Sequence, residues 1–249
     1  MRLVTFNILH GRSPLDGRVD VDRLARAVRS MDPDVLALQE VDRDQERSGR
    51  ADLTAVAAEA MGALEHRFVA ALSGTPGATW TAGTGEKQPD MAAYGIALLS
   101  RYPVSSWSVV RLPPFPGRVP MVFGGRLQLV SDEPRVALSA VVGAPPGPVT
   151  VATTHLSFLP AWNILQLRRV LKALRRCPPP RVLMGDLNMG PRRAARVTGM
   201  HPAAAAPTFP AQHATRQLDH ILTEGLPGPF QGDAHELPLS DHRALAVTL

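Results

Sequence analysis

Ser240-Asp241-His242-Arg243-Ala244-Leu245-Ala246-Val247-Thr248-Leu249 is the stretch on which the fold turns, read beside Gly185-Asp186-Leu187-Asn188 upstream. A carboxylate next to an imidazole, after a polar loop and before an apolar run, predicts a strand that starts at a polar centre. Other segments carry the same signature at their ends. Asn7 closes LVTFN, Glu40 closes VLALQE, His155 closes VATTH, and Asp219-His220 stands within QLDHIL. Each polar residue borders a short apolar, often β-branched run, which is how a buried strand delivers a side chain to a sheet edge.

Outward from these strings, strands and helices alternate. Residues 2–7 read as a strand, and Asp20 can cap a helix with Val21, Leu24, Val28 and Met31 along one face, ended by Pro33. A strand at 35–39 follows, then a second helix from Asp52 carrying Leu53, Val56, Ala60 and Met61. Residues 73–92 are rich in Gly, Thr and Pro without periodicity and predict a long surface loop. Strands near 94–99 and 104–111 lead into LPPFPGRVP, a crossing between the two halves. Strands near 135–142 and 148–154 precede a helix near 161–175, with Pro160 suited to its first turn and Leu165, Leu171 and Leu174 among its buried candidates. Cys177-Pro178-Pro179-Pro180 stops that helix, and strands near 181–185, 217–222 and 243–249 follow. Periodicity alone yields α/β or α+β.

At 249 residues, 45% hydrophobic and 20% charged, the chain can bury a sizeable core, and one domain over 1–249 is expected. The single Cys177 excludes an internal disulfide and a thiolate cluster. No apolar run of spanning length occurs and the N-terminus does not read as a signal peptide, so a cytoplasmic protein is expected. The formal charge of +5 suits an anionic partner, but lysine occurs only at Lys87 and Lys172. The arginines come as scattered pairs, Arg168-Arg169, Arg175-Arg176 and Arg192-Arg193, which a merely solvated face would also give.

In this order, FN, QE, THL, GDLN, LDHIL and SDHRAL resemble the endonuclease/exonuclease/phosphatase superfamily, the DNase I-like group that also holds abasic-site endonucleases, neutral sphingomyelinases and inositol-polyphosphate 5-phosphatases. YGIALLSRYPV, EPRVAL and PTFPA add matches to its compact bacterial members, and the resemblance spans residues 2–249. It implies a four-layer α/β (α+β) sandwich, two mixed β-sheets packed face to face with helices outside. The activity it implies is divalent-metal-dependent hydrolysis of a phosphoester, with a phosphodiesterase or nuclease slightly ahead of a lipid or inositol-phosphate phosphoesterase. A non-catalytic binding module on this scaffold would have lost polar residues from the strings, and none is missing.

By the same resemblance, Glu40, Asp241 and Asn7 hold the metal, Mg²⁺ or alternatively Mn²⁺; hard oxygen donors suit such ions. Asp186 and Asn188 lie two apart, so on an extended segment they share a face and can reach one water, although GDLN before Gly190-Pro191 is also good Asx-turn sequence. His242 and Asp219 match an imidazole–carboxylate pair, and His155 a second active-site imidazole. His220 is expected on the opposite side of its strand. Arg135 and Tyr94 are candidate substrate-binding residues, Arg135 reading equally as an ion-pair partner. Ile96 stands where relatives often carry Asn. Trp80, Trp107 and Trp162 suit core or rim positions better than base stacking. PMVF at 120–123 could form an apolar lip, and the surface around 73–92 and 113–126 is expected to separate a nucleic-acid groove from a lipid pocket.

Overall fold

The computed structural model describes residues 1–76, 80–83, 91–123, 126–226 and 228–249, with backbone only at 121–123 and 126. Among these residues one sheet has, in spatial order, β14 (Gln231–His235), β15 (Ala244–Thr248), β1 (Arg2–Asn7), β2 (Val35–Arg43), β5 (Ala93–Ser100), β3 (Glu65–Gly74) and β4 (Trp80–Ala82). A second has β12 (His201–Pro202), β13 (Asp219–Glu224), β11 (Arg181–Asp186), β10 (Val149–His155), β9 (Arg135–Val142) and β6 (Val104–Leu112). β7 (Arg118–Phe123) and β8 (Arg126–Ser131) form a separate hairpin. Both large sheets are mixed: β1–β2 and β10–β11 run parallel, while β1–β15 and β11–β13 run antiparallel.

The apolar runs explain the layering. Along β1 and β2, Val4, Phe6, Leu36 and Leu38 face α1 (Val21–Met31) and α2 (Leu53–Met61), while Leu3, Val35 and Ala37 face Leu138, Val151 and Val182 of the other sheet. A strand covered on both faces has no solvent side, so its sequence is continuously apolar rather than alternating. The far side of the second sheet is covered by α3 (Trp162–Leu174) and α4 (Pro191–Thr198), whose Leu167, Leu171 and Ala194 pack on Ala152 and Leu183. This is the expected four-layer sandwich. Asp20 and Asp52 cap α1 and α2 as expected, each carboxylate accepting two backbone N–H bonds.

Several local expectations need correction. Leu165 is 52% exposed, and Asn163 and Gln166 are buried on α3 instead, because their amides hold the Asn188 and Pro113 carbonyls and the Ser157 N–H. Pro160 falls outside the first turn, since Ala161 is the N-cap with φ +71. Within the expected 73–92 loop, Ser73 and Gly74 belong to β3 and Trp80–Ala82 pairs with it; 77–79 and 84–90 lie outside the described residues. The LPPFPGRVP crossing runs into β7 at Arg118 rather than remaining a plain connection. Ile96 sits 2% exposed in the inter-sheet core, where an apolar side chain packs without a hydrogen bond. Among the described residues no helix is long and apolar enough to cross a membrane.

Candidate active site

Strand register assembles the centre. β10 pairs with β11 so that His155 lies beside Asp186, and β11 pairs with β13 so that Asp186 lies opposite Asp219. Three adjacent strands thus present an imidazole and two carboxylates in one row. Gly185 permits the close approach, since with φ +134 a Cβ there would lie 2.0 Å from the Thr154 carbonyl oxygen. The first sheet supplies the facing groups. Asn7 Nδ2 donates to Glu40 Oε1 at 3.1 Å and Asp186 Oδ2 at 3.2 Å, tying the sheets together across the centre.

Glu40 is aimed by a β-bulge. Gln39 pairs with Ile96 and Val41 with Gly95, leaving Glu40 unpaired at φ +56. Asn188 (φ +49) and Ser240 (φ +67) share this left-handed conformation, and both lie at turns beside the centre. Such conformations cost on the order of 1–3 kcal/mol each and cluster where side-chain direction matters more than backbone comfort. Ser240 Oγ donates to the Asn7 carbonyl at 2.6 Å and accepts from His242 N at 3.1 Å, which fixes the SDH turn against β1. Asn188 N donates to Asp186 Oδ1 at 2.9 Å, so the Asx turn and the shared site coexist.

His242 Nδ1 donates to Asp219 Oδ2 at 2.8 Å. Burial disfavours the charged ring, but Asp219's charge and hydrogen bond, helped by Asp186 and Asp241, push its pKa up to about 10. Burial and then Asp219's charge raise Asp186 to about 7, against the pull of His242, Asn188 N and Asn7. His155 behaves oppositely. Burial and the charges of Arg135 and His242 hold it well below the ordinary imidazole value, so the ring is neutral. Arg135 Nη1 lies 3.2 Å from His155 Nδ1, and a guanidinium can only donate. His155 Nδ1 is therefore the acceptor and Nε2 carries the proton, 3.5 Å from Asp186 Oδ2.

One cavity of about 430 Å³ is lined by Glu40, Tyr94, Arg135, His155, Asp186, Asn188 and His242. Arg135 is 8% exposed, lines the cavity and ion-pairs with Glu133 at 3.6 Å, so the substrate-facing and ion-pair positions coincide. Burial and Glu40's charge raise the Tyr94 pKa, keeping its hydroxyl protonated as a donor. Trp80 stacks 5.8 Å from the Tyr94 ring at the rim, Trp107 lies beneath Arg67, and Trp162 bonds the Pro113 carbonyl. Asp241 does not line this cavity; its charge acts on Glu40 and His242 from a neighbouring cleft beside Pro14, Leu15 and Pro210. His220 Nε2 bonds the Met189 carbonyl on the far side of its strand, as expected.

Sequence reasoning missed Glu133, Phe158, Phe209, Arg216 and Leu218, which also line the cavity; Phe209 packs 4.9 Å from the His242 ring. The PTFPA, EPRVAL and QLDHIL strings already contained Phe209, Glu133 and Leu218, but nothing in isolated residues signalled Phe158 or Arg216. It also missed Arg47, whose guanidinium bonds both oxygens of fully buried Asp42 at 2.8 and 2.7 Å and stands 5.4 Å from the Tyr94 ring centroid.

Whether these residues suit a divalent cation is decided by their charge balance. Half-buried Glu40 and buried Asp186 are carboxylates bridged by one neutral amide, and desolvation with Asp241's repulsion raises the Glu40 pKa. A hard cation at this position would supply the missing countercharge, so the oxygen-rich donor set fits Mg²⁺. Asn7 turns Nδ2 toward the acids and Oδ1 toward Leu9 N at 3.2 Å, so ligation through its oxygen requires the amide to turn over. Asp186, Asp219 and His242 form the tightest group, with ligand atoms within 4.8 Å of one another. That compactness reflects the Asp219–His242 hydrogen bond, and a protonated ring has no lone pair for a metal. Asp219 Oδ1 nonetheless remains buried without a partner.

Residues 4–242 match the model of the Endonuclease/Exonuclease/phosphatase family. Among solved structures, the chain is similar to an endonuclease/exonuclease/phosphatase from Beutenbergia cavernae, at 23% identity and TM-score 0.70, covering 99% of this chain and 70% of that one. It is also similar to sphingomyelinase C from Streptomyces griseocarneus (16%, TM-score 0.62, 99% and 98%). A third likeness is the F277A, P278A mutant of beta toxin from Staphylococcus aureus with bound magnesium ions (13%, TM-score 0.64, 99% and 98%). No curated protein matches.

Proposed function

The chain belongs to the endonuclease/exonuclease/phosphatase family, and from that premise we propose that it is a divalent-metal-dependent phosphodiesterase acting at the cavity between the two sheets. The observation that carries the reading is the pairing of opposed proton affinities. Asp186, with a pKa near 7, can accept a proton from water at neutral pH, while His242, near 10, stays charged beside it, its Nε2 3.9 Å from Asp186 Oδ2.

In this reading the phosphate lies among Arg135, His155, Asn188 and His242, where cationic and N–H donors meet the charge that develops on its oxygens. Asp186 receives the proton of the attacking water, positioned with Asn188. Asp219 holds His242 in the charged form, and His155 offers its Nε2–H to a phosphate oxygen. Glu40 and Asp241, with Asn7 once its amide turns, would hold Mg²⁺ or Mn²⁺. The bound ion would add Lewis-acid polarisation of the phosphate. Residues 1–249 act as one domain, supported by a single inter-sheet core to which both halves of the chain contribute. The free Cys177 suits a cytoplasmic, reducing setting.

A nucleic-acid substrate is the first reading. A lipid phosphoester is the second, favoured by Leu127 and Leu129, which are 71% and 64% exposed on the β7–β8 hairpin. Hydrolysis of bis-p-nitrophenyl phosphate with Mg²⁺, abolished by EDTA, tests the activity. Asp186→Ala should lower kcat on the order of 10²-fold or more. A folded Asp186→Ala protein as active as the wild type would remove Asp186 from the mechanism.

A further inference from the structure

The catalytic cavity does not end at the reacting groups. Arg216 and Leu218 form part of its wall and also line a neighbouring cavity of about 440 Å³ floored by Gly190 and Pro191. Gly190 and Pro191 in turn line a third cavity of about 550 Å³, walled by Arg192, Arg193 and Arg196. Shared walls make the three a continuous depression leading from the centre across the start of α4. Neither outer cavity is lined by an aspartate or glutamate.

We infer that this depression is a cationic track for the phosphodiester backbone of a nucleic-acid strand, running from Arg216 over the Gly190-Pro191 turn to Arg192, Arg193 and Arg196. The inference rests on the phosphodiesterase reading above and names its substrate class.

The arginines of the track differ from those that serve the fold. Arg23, Arg47, Arg101, Arg181 and Arg243 each reach a carboxylate within 3.0 Å. Among the described residues, Arg192, Arg193, Arg196 and Arg216 have no side-chain hydrogen bond or ion pair. Arg192 and Arg196 are four apart on one helix face, where like charges repel, and α4 carries no acid to relieve them. No side chain caps the helix N-terminus at Gly190, so its backbone dipole adds to the same positive field. Such an arrangement is unfavourable alone and becomes favourable when phosphates replace the repulsion. Apart from Leu218, the rest of the track wall is small or polar: Ala205, Ala206, Pro207, Thr215 and Gln217. Of the residues lining the two outer cavities, Leu218 alone is large and apolar, where a lipid surface would require several.

The test measures binding of a fluorescent twelve-nucleotide oligothymidylate to the full chain carrying Asp186→Ala, with and without Arg192→Ala/Arg193→Ala/Arg196→Ala, across a salt series. The triple substitution should weaken binding at least tenfold at low salt. It should also make the slope of log affinity against log salt shallower by about 2, since each phosphate contact on a single strand contributes roughly 0.7. The corresponding triple lysine variant should recover most of the slope. Equal affinity and slope for the triple alanine variant would overturn the track. So would arginine-dependent binding to phosphatidylserine vesicles without arginine-dependent binding to the oligonucleotide. Wild-type hydrolysis of bis-p-nitrophenyl phosphate is read separately: its absence counts against the catalytic reading, whereas loss of the arginine effect alone counts only against the track.

Discussion

Replacing Asp219 by Asn separates charge from geometry at this centre, because the amide oxygen can still accept from His242 Nδ1 while the negative charge is gone. In the wild type the ring moves from 6.5 to about 10. At about 1.4 kcal/mol per tenfold change in proton affinity, that is a preference of about 5 kcal/mol for the charged ring in the folded state. Asp219 heads the causes that raise the value, and without it burial outweighs Asp186 and Asp241, so the whole preference of about 5 kcal/mol depends on Asp219. A pKa raised on folding gives stability that is fully present below the unfolded value of 6.5 and is lost as pH climbs through about 10. The stability gap between wild type and Asp219→Asn should therefore be widest near pH 6 and shrink by about 5 kcal/mol by pH 10. A pH-independent loss of about 1–3 kcal/mol should persist, because the new amide N–H₂ would occupy the place of Asp219 Oδ1, which is buried without a partner. Urea unfolding of metal-free protein at both pH values measures the gap, and the His242 Cε1–H resonance reports the titration directly. In the variant burial should dominate and carry the ring below 6.5. A gap that stays flat from pH 6 to 10, or a wild-type ring titrating near 6.5, would refute the reasoning.

Gly185→Ala should lower stability on the order of 4 kcal/mol, combining a steric clash with a backbone conformation unsuited to a side chain. A shift of the urea midpoint worth under about 1 kcal/mol would mean that β10 and β11 part more readily than their close approach suggests. Arg47→Ala should destabilise by about 2–3 kcal/mol, toward the low end for a buried carboxylate left without its partner because Arg47 is 35% exposed. Adding Asp42→Asn should recover most of that loss in a double-mutant cycle, and additive losses would argue against coupling.

Much of the centre was legible because a strand that ends at a reactive group announces it by a break in an apolar run. His155, Asp186 and Asp219 were found this way, and the structure sets them side by side through strand register. Glu40 was legible as a strand end, yet it lies inside β2, which continues to Arg43; the bulge that turns it inward has no signature in VLALQEVDR. Asn7 was read for its oxygen and presents its nitrogen, because two facing carboxylates orient an amide in a way that only three-dimensional proximity decides. Leu165 failed for a related reason. Helical periodicity assigns the inner face to apolar residues, but here loop carbonyls and an N–H needed partners, and Asn163 and Gln166 took that face. Arg47 and Arg216 lie outside any apolar pattern, so their proximity to the cavity follows from the fold alone.

The first sheet is sewn from both ends of the sequence, with β1 paired to β15 and the Met1 amine 3.2 Å from the Leu249 carbonyl. During synthesis, β1 and β2 emerge early but lack their β15 neighbour, and the SDH turn that seats His242 is made only just before that strand. A nascent chain therefore carries Glu40, His155 and Asp186 without the imidazolium that completes them. The same adjacency makes residues 1 and 249 natural points to join in a circular permutant, moving the new ends to a surface turn while leaving the seam of the sheet uncut.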